Sequence, residues 1–92
     1  MSEYMEIETE ATEAPDVMRF STNLKLSDRP LEQYESVEAM EEGSPLAQAL
    51  AYVEGVVALE INDQEMLVTS DGDMPWHIII AEISAIVKDF FL

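Results

Sequence analysis

Residues 44–55 read Ser-Pro-Leu-Ala-Gln-Ala-Leu-Ala-Tyr-Val-Glu-Gly, a segment that carries its own start and stop signals. Ser44 suits an N-cap, because its hydroxyl can accept a hydrogen bond from an orphan N–H of the first turn. Pro45 falls at the first helical position, where a missing N–H costs nothing. Leu46, Ala49, Leu50 and Val53 follow at i, i+3, i+4 and i+7 and line one apolar face. Gly55 can adopt the left-handed conformation that ends a helix. The strand-like run Val56 to Ile61 begins immediately afterwards. A helix that feeds straight into a strand must lay its apolar stripe back on a sheet.

Elements on either side follow from the same periodicity arguments. Residues 1–4 are expected to fray. From Met5 to Thr9 the pattern alternates, with Met5, Ile7 and Thr9 on one face and Glu6, Glu8 and Glu10 on the other, as in a half-buried strand. Ala11 to Asp16 contains Pro15 and turns the chain. Val17 to Thr22 alternates again, with Met18, Phe20 and Thr22 inward, and pairs antiparallel with the first strand. Leu24 and Leu26 can extend it; Ser27 to Pro30 breaks it. Residues 27–43 read as loop with room for one short helix, since only Leu31, Val37 and Met40 form a weak stripe among many glutamates. After the capped helix, Val57, Leu59 and Ile61 face inward on a third strand. Asn62-Asp63 turns, and Met66 to Ser70 returns as a fourth. Asp71-Gly72-Asp73 breaks the strand, and Asp73 can cap a last helix with Pro75 in its first turn. Trp76, Ile79, Ile80, Ile83, Val87 and Phe90 recur at helical spacing.

The expected architecture is α+β: a two-layer sandwich in the order β-β-α-β-β-α. A four-stranded, largely antiparallel sheet carries two helices on one face. The other face carries Glu6, Glu8, Arg19, Ser21, Ala58, Glu60, Leu67 and Thr69. Ninety-two residues make a single domain, 1–92.

Composition removes several function classes. There is no cysteine, so disulfides, thiolate nucleophiles and cysteine-ligated metal clusters are absent. Twenty acidic residues face four basic ones, a net charge of −16 that repels nucleic acid and anionic membranes. Three explanations of that charge stand side by side: a solvated surface, adaptation to a salty cytoplasm, or an acidic face that binds a basic partner. No apolar run approaches the roughly 20 residues of a membrane span. The acidic start is unlike a secretory signal, so the expected location is cytoplasmic.

The order of short motifs resembles the N-terminal domain of Nfu/NifU-type iron–sulfur scaffold proteins. In the segment Thr9 to Phe20, the residues Thr9, Glu10, Thr12, Pro15, Met18 and Phe20 match the family pattern, and Arg19 replaces its lysine. Ser44 to Ala47 matches the family's Ser-Pro-Leu-Ala helix start, and Trp76 its tryptophan at the start of the last helix. Val53–Val57 and Val68-Thr69 resemble its strand motifs. Two departures stand out. The family's Pro-Asn in the first turn is Glu13-Ala14 here, and the separate Cys-x-x-Cys domain of full-length members has no counterpart, so the domain is expected to stand alone.

The resemblance implies a non-enzymatic module in iron–sulfur cluster assembly or delivery that binds no cluster or other cofactor itself. Its partner would be a protein, either a cluster scaffold or a client apoprotein, and not nucleic acid or membrane. The rival reading is an acidic inhibitor or DNA mimic. Candidate partner-binding residues are Thr12, Pro15 and Asp16 of the first turn with Trp76 and His77 of the last helix. Elsewhere the chemistry is thin. His77, the lone imidazole, reads as a solvated residue without an orienting partner. Asp63, Asp71 and Asp73 lack calcium-loop spacing and read as turn and cap residues. Ser44 is occupied as a cap, and Trp76 reads first as core.

Overall fold

The computed structural model describes residues 5–27 and 30–91. The expected fraying of residues 1–4 and the middle of the expected breaker, 28 and 29, lie outside the described residues. Among those described, the strands are β1 (Ile7–Ala11), β2 (Val17–Thr22), β3 (Glu32–Tyr34), β4 (Val56–Asn62) and β5 (Glu65–Ser70). The helices are α1 (Val37–Glu41), α2 (Pro45–Leu50) and α3 (Trp76–Phe91). The strands form one five-stranded antiparallel sheet in the order β1-β2-β5-β4-β3. The α+β class and the two hairpins agree with the sequence reading. The count does not: β3 forms within the stretch read as loop, and α1 is the short helix for which that stretch left room, so there are five strands and three helices among the described residues.

The core is a set of rows running across the sheet. Phe20 pairs with Met66 and Met66 with Ile61; Met18 pairs with Val68 and Val68 with Leu59. Ile79, Ile83 and Val87 of α3, at i, i+4 and i+8, are buried with these rows in one cluster, joined by Met40, Leu46 and Leu50 from the shorter helices. Every buried side-chain nitrogen or oxygen among the described residues has a hydrogen-bond partner.

The capped helix forms as its signals demand, but it is shorter. Ser44 Oγ accepts from the Ala47 N–H at 3.4 Å, Pro45 opens the helix, and α2 stops at Leu50. From there the chain tightens: Val53 N–H donates to the Leu50 carbonyl and Val56 N–H to that of Val53, both i→i+3 bonds. Val53 stays buried, so the stripe survives although the helix does not. Ala47 is also fully buried, whereas Ala49, expected inward, is only half-buried. Gly55 does take a positive φ, +96°, at the entry to β4 rather than at the helix end. A Cβ there would lie 2.9 Å from Met74 Cβ and 3.2 Å from Ile79 Cδ1, so the entry to β4, the loop before α3 and α3 itself meet around a missing side chain.

Other corrections have local causes. A register shift between Val56 and Ala58 puts Val56 in the core and leaves Val57 half-buried. The extra residue of a bulge re-phases everything before it. The two-residue turn after β4 is Asp63-Gln64, with Asp63 at φ 59°, one position later than expected. The first strand begins at Ile7: Met5 is buried ahead of it, and Thr9, on the edge, is exposed. Leu24 and Leu26 do not extend β2, although Leu26 is buried. Leu31 and Phe90 are 47% and 44% exposed and leave their expected stripes. Pro75 precedes α3, its carbonyl accepting from Ile78 and Ile79, while Asp73 N–H donates to the Asp71 carboxylate.

β3 inverts the usual pattern. Its inward residue is Glu32, which is buried, and its outward one is Gln33. Ser27 and Tyr34 hydroxyls both donate to the Glu32 carboxylate. Tyr34 in turn accepts from the Ser44 N–H at 3.2 Å, tying β3 to the start of α2. Gly43 lets that ring approach, since a Cβ there would overlap the Tyr34 ring.

Candidate functional site

The first turn is built by short side chains that satisfy its backbone. Thr12 Oγ1 accepts from the Ala14 N–H at 3.2 Å and lies 2.9 Å from the Val17 carbonyl and 3.0 Å from that of Ala14. Such a hydroxyl replaces the backbone partner that a turn removes. Val17 N–H closes the turn onto the Ala14 carbonyl at 3.1 Å. The Asp16 carbonyl accepts from Ser70 N–H at 2.8 Å, which fastens the turn to the end of β5.

One further bond joins the turn to the last helix. The Trp76 indole N–H donates to the Pro15 carbonyl at 3.2 Å. The indole packs partly on the core and is half-buried, so one part of the ring is held while another meets solvent. Below it the Asp71–Asp73 turn is also closed by its own side chains: Gly72 N–H donates to Ser70 Oγ and Asp73 N–H to Asp71 Oδ1, both at 2.9 Å. Pro15, Asp16, Ser70, Met74 and Trp76 line an open groove of about 420 Å³.

Of the five candidate residues, the fold therefore brings Pro15, Asp16 and Trp76 to one groove. Thr12 shapes the turn from behind and faces a neighbouring depression. His77 is exposed and is not among the residues lining the Trp76 groove. Sequence reasoning missed Ser70 and Met74. Met74 stands just before Pro75, where no periodicity distinguishes a groove-lining methionine from a loop residue.

The arrangement offers shape, an aromatic face and backbone carbonyls. Among the described residues no three His, Cys, Asp or Glu side chains converge to hold a metal ion. Asp63 lies at the hairpin before β5, whereas Asp71 and Asp73 follow it, so the three aspartates do not gather. Among the described residues no helix is long and apolar enough to cross a membrane.

Comparison with known proteins agrees with the motif order. The family model described as scaffold protein Nfu/NifU N terminal matches residues 7–92. NifU-like protein 5, mitochondrial, of Arabidopsis thaliana is 32% identical over 88 residues, covering 95% of this chain and 31% of the relative. NifU-like protein 4, mitochondrial, of the same plant is 30% identical over 87 residues, covering 95% of this chain and 30% of the relative. The chain thus spans about a third of the length of these curated relatives. A NifU-like protein of Saccharomyces cerevisiae superposes with a TM-score of 0.77 at 22% identity, over 94% of this chain and 77% of that one. Protein SAV1430 of Staphylococcus aureus superposes with a TM-score of 0.70 at 16% identity, over 87% of this chain and 95% of that one. These two likenesses establish the fold.

Proposed function

The chain belongs to the Nfu/NifU N-terminal scaffold family, and from that premise we propose that it is a non-enzymatic docking module for iron–sulfur cluster assembly or delivery. It engages a protein partner, a cluster scaffold or a client apoprotein, and holds no cluster of its own. The observation that carries this reading is the Trp76–Pro15 hydrogen bond. It joins residues far apart in sequence into one preset surface with an aromatic residue half in and half out. Half-buried aromatics held by a hydrogen bond make good interface anchors, because little side-chain freedom is lost on binding.

Ligand chemistry argues in the same direction. A thiolate-bound cluster needs several cysteines, and the chain has none. Family membership favours this function over an acidic inhibitor or DNA mimic. So does the distribution of carboxylates, which fall on β1, α1, β4 and α3 alike. Location belongs to the same proposal: the residues suggest the cytoplasm, while the plant relatives are named as mitochondrial.

Calorimetry with the cluster scaffold and client apoproteins of the same organism tests the reading. Binding should be present with wild type, weaker with Asp16→Lys, and lost or strongly reduced with Trp76→Ala. Anaerobic reconstitution with iron and sulfide should leave the protein colourless after desalting. Binding that ignores both substitutions, or a stoichiometric cluster that survives desalting, overturns it.

A further inference from the structure

The face of the sheet away from the helices is a grid whose rows can be read from the strand register. Val17, Thr69 and Ala58 form one row across β2, β5 and β4. Glu10, Arg19, Leu67, Glu60 and Gln33 form the next row, across all five strands. Short side chains in one row beside long ones in the next make a trough perpendicular to the strands. Two depressions of about 370 and 450 Å³ lie on this face, and both are lined by Val17 and Leu67. The two depressions meet at Val17 and Leu67, and together they reach from the first turn to the residue after β3, so we treat them as one channel.

Its ends are acidic. Glu13 lines the end at the first turn and Glu35 the end beside β3, and both are exposed. The long row is already internally paired: Arg19 meets Glu10 at 3.5 Å, and Gln33 Nε2 donates to Glu60 Oε1 at 2.8 Å. Among the described residues, Arg19 is the one cation of this face and it faces a carboxylate, while Glu13 and Glu35 are left to address solvent or a partner. Four strand spacings of about 4.8 Å give a channel roughly 19 Å long. That length matches about 13 residues of helix.

We propose that this channel is a second docking surface, separate from the Trp76 groove, and that its occupant is a short protein segment with an aliphatic middle and Lys or Arg at both ends. Aliphatic side chains would rest over Val17, Ala58 and Leu67 while the cationic ends reach Glu13 and Glu35. A second copy of this chain does not fit that description, since two chains of −16 repel each other. Nucleic acid and anionic lipid are excluded by the same sign of charge.

The test uses a synthetic, Ala-rich peptide of about 13 residues, with two central leucines and a lysine pair at each end, titrated into the isotopically labelled chain. Its control is the same peptide with glutamates at the ends. Amide shifts should concentrate on Val17, Ala58, Leu67 and Thr69 for the lysine peptide and be absent for the control. Thr69→Lys should weaken binding about tenfold, whereas Gln48→Lys, the same charge change on α2, should not. Glu13→Gln with Glu35→Gln, both on exposed residues that leave the core intact, should weaken binding severalfold and flatten its salt dependence. Trp76→Phe should leave it unchanged, which separates this surface from the groove. Equal weakening by Thr69→Lys and Gln48→Lys, shifts centred on α1 and α2, or concentration-dependent dimerisation in place of peptide binding would overturn the proposal.

Discussion

Trp76 is where stability and surface chemistry meet, and two substitutions separate its contributions. Trp76→Ala removes the packing on the core together with the indole donor to Pro15. A fully buried tryptophan truncated to alanine costs about 3–5 kcal/mol. Trp76 is only half-buried, so the expected loss is about 2–3 kcal/mol on the same scale. Trp76→Phe keeps most of the ring and deletes the donor. A solvent-accessible hydrogen bond contributes about 0.5–1.5 kcal/mol net, and the lower half of that range applies here.

A domain of 92 residues holds roughly 5–9 kcal/mol in total, so the alanine variant should stay folded but lose a large share of its margin. At about 4–8 °C per kcal/mol for this size, Trp76→Ala should melt some 10–20 °C lower and Trp76→Phe only about 3–6 °C lower. His77→Ala, one residue on and exposed, should stay within about 0.5 kcal/mol of wild type. Because Trp76 is the only tryptophan, its fluorescence cannot follow the variants. Urea unfolding read by far-ultraviolet circular dichroism serves all three. If Trp76→Ala and His77→Ala prove equally mild, the indole is not packed as described, and the argument for a held, half-exposed anchor collapses.

Gly55→Ala should destabilise the domain by about 2 kcal/mol or more, since an L side chain at positive φ is strained and its Cβ meets Met74; a melting temperature equal to wild type would contradict the close approach. Tyr34→Phe deletes a donor to the buried Glu32 carboxylate and an acceptor for Ser44 N–H, and should cost about 1–3 kcal/mol in denaturant unfolding. Between low and molar NaCl the melting temperature should rise by about 5 °C or more as carboxylate repulsion is screened. A weakly kosmotropic salt at equal ionic strength must give the same rise, and a flat curve in both would show that repulsion is not limiting.

Periodicity and capping chemistry are local, and what they encode was legible in the residues alone. Ser44 and Pro45 marked the start of α2, Phe20 and Met66 belonged to alternating runs, and Ile79, Ile83 and Val87 recurred at helical spacing. The α+β class and the two hairpins follow from those patterns. Tertiary structure decided the rest, for reasons no local pattern contains. Glu32 became an inward strand residue because β3 pairs with β4, which sets it opposite Ile61, while its neighbours Ser27 and Tyr34 donate to its carboxylate; read locally, a glutamate in that place argues for loop. The helix after Pro45 ended at Leu50 because the chain had to reorient into β4, and tight i→i+3 turns keep almost the same apolar spacing as a helix. The bulge at Val56–Ala58 is a property of the pairing with β5, not of either strand. The candidate groove was divided in the same way. Its residue types, Pro15, Asp16 and Trp76, were visible one by one, but the bond that unites them spans 61 positions, and closing so long a loop is work that only the packed sheet and helix can do.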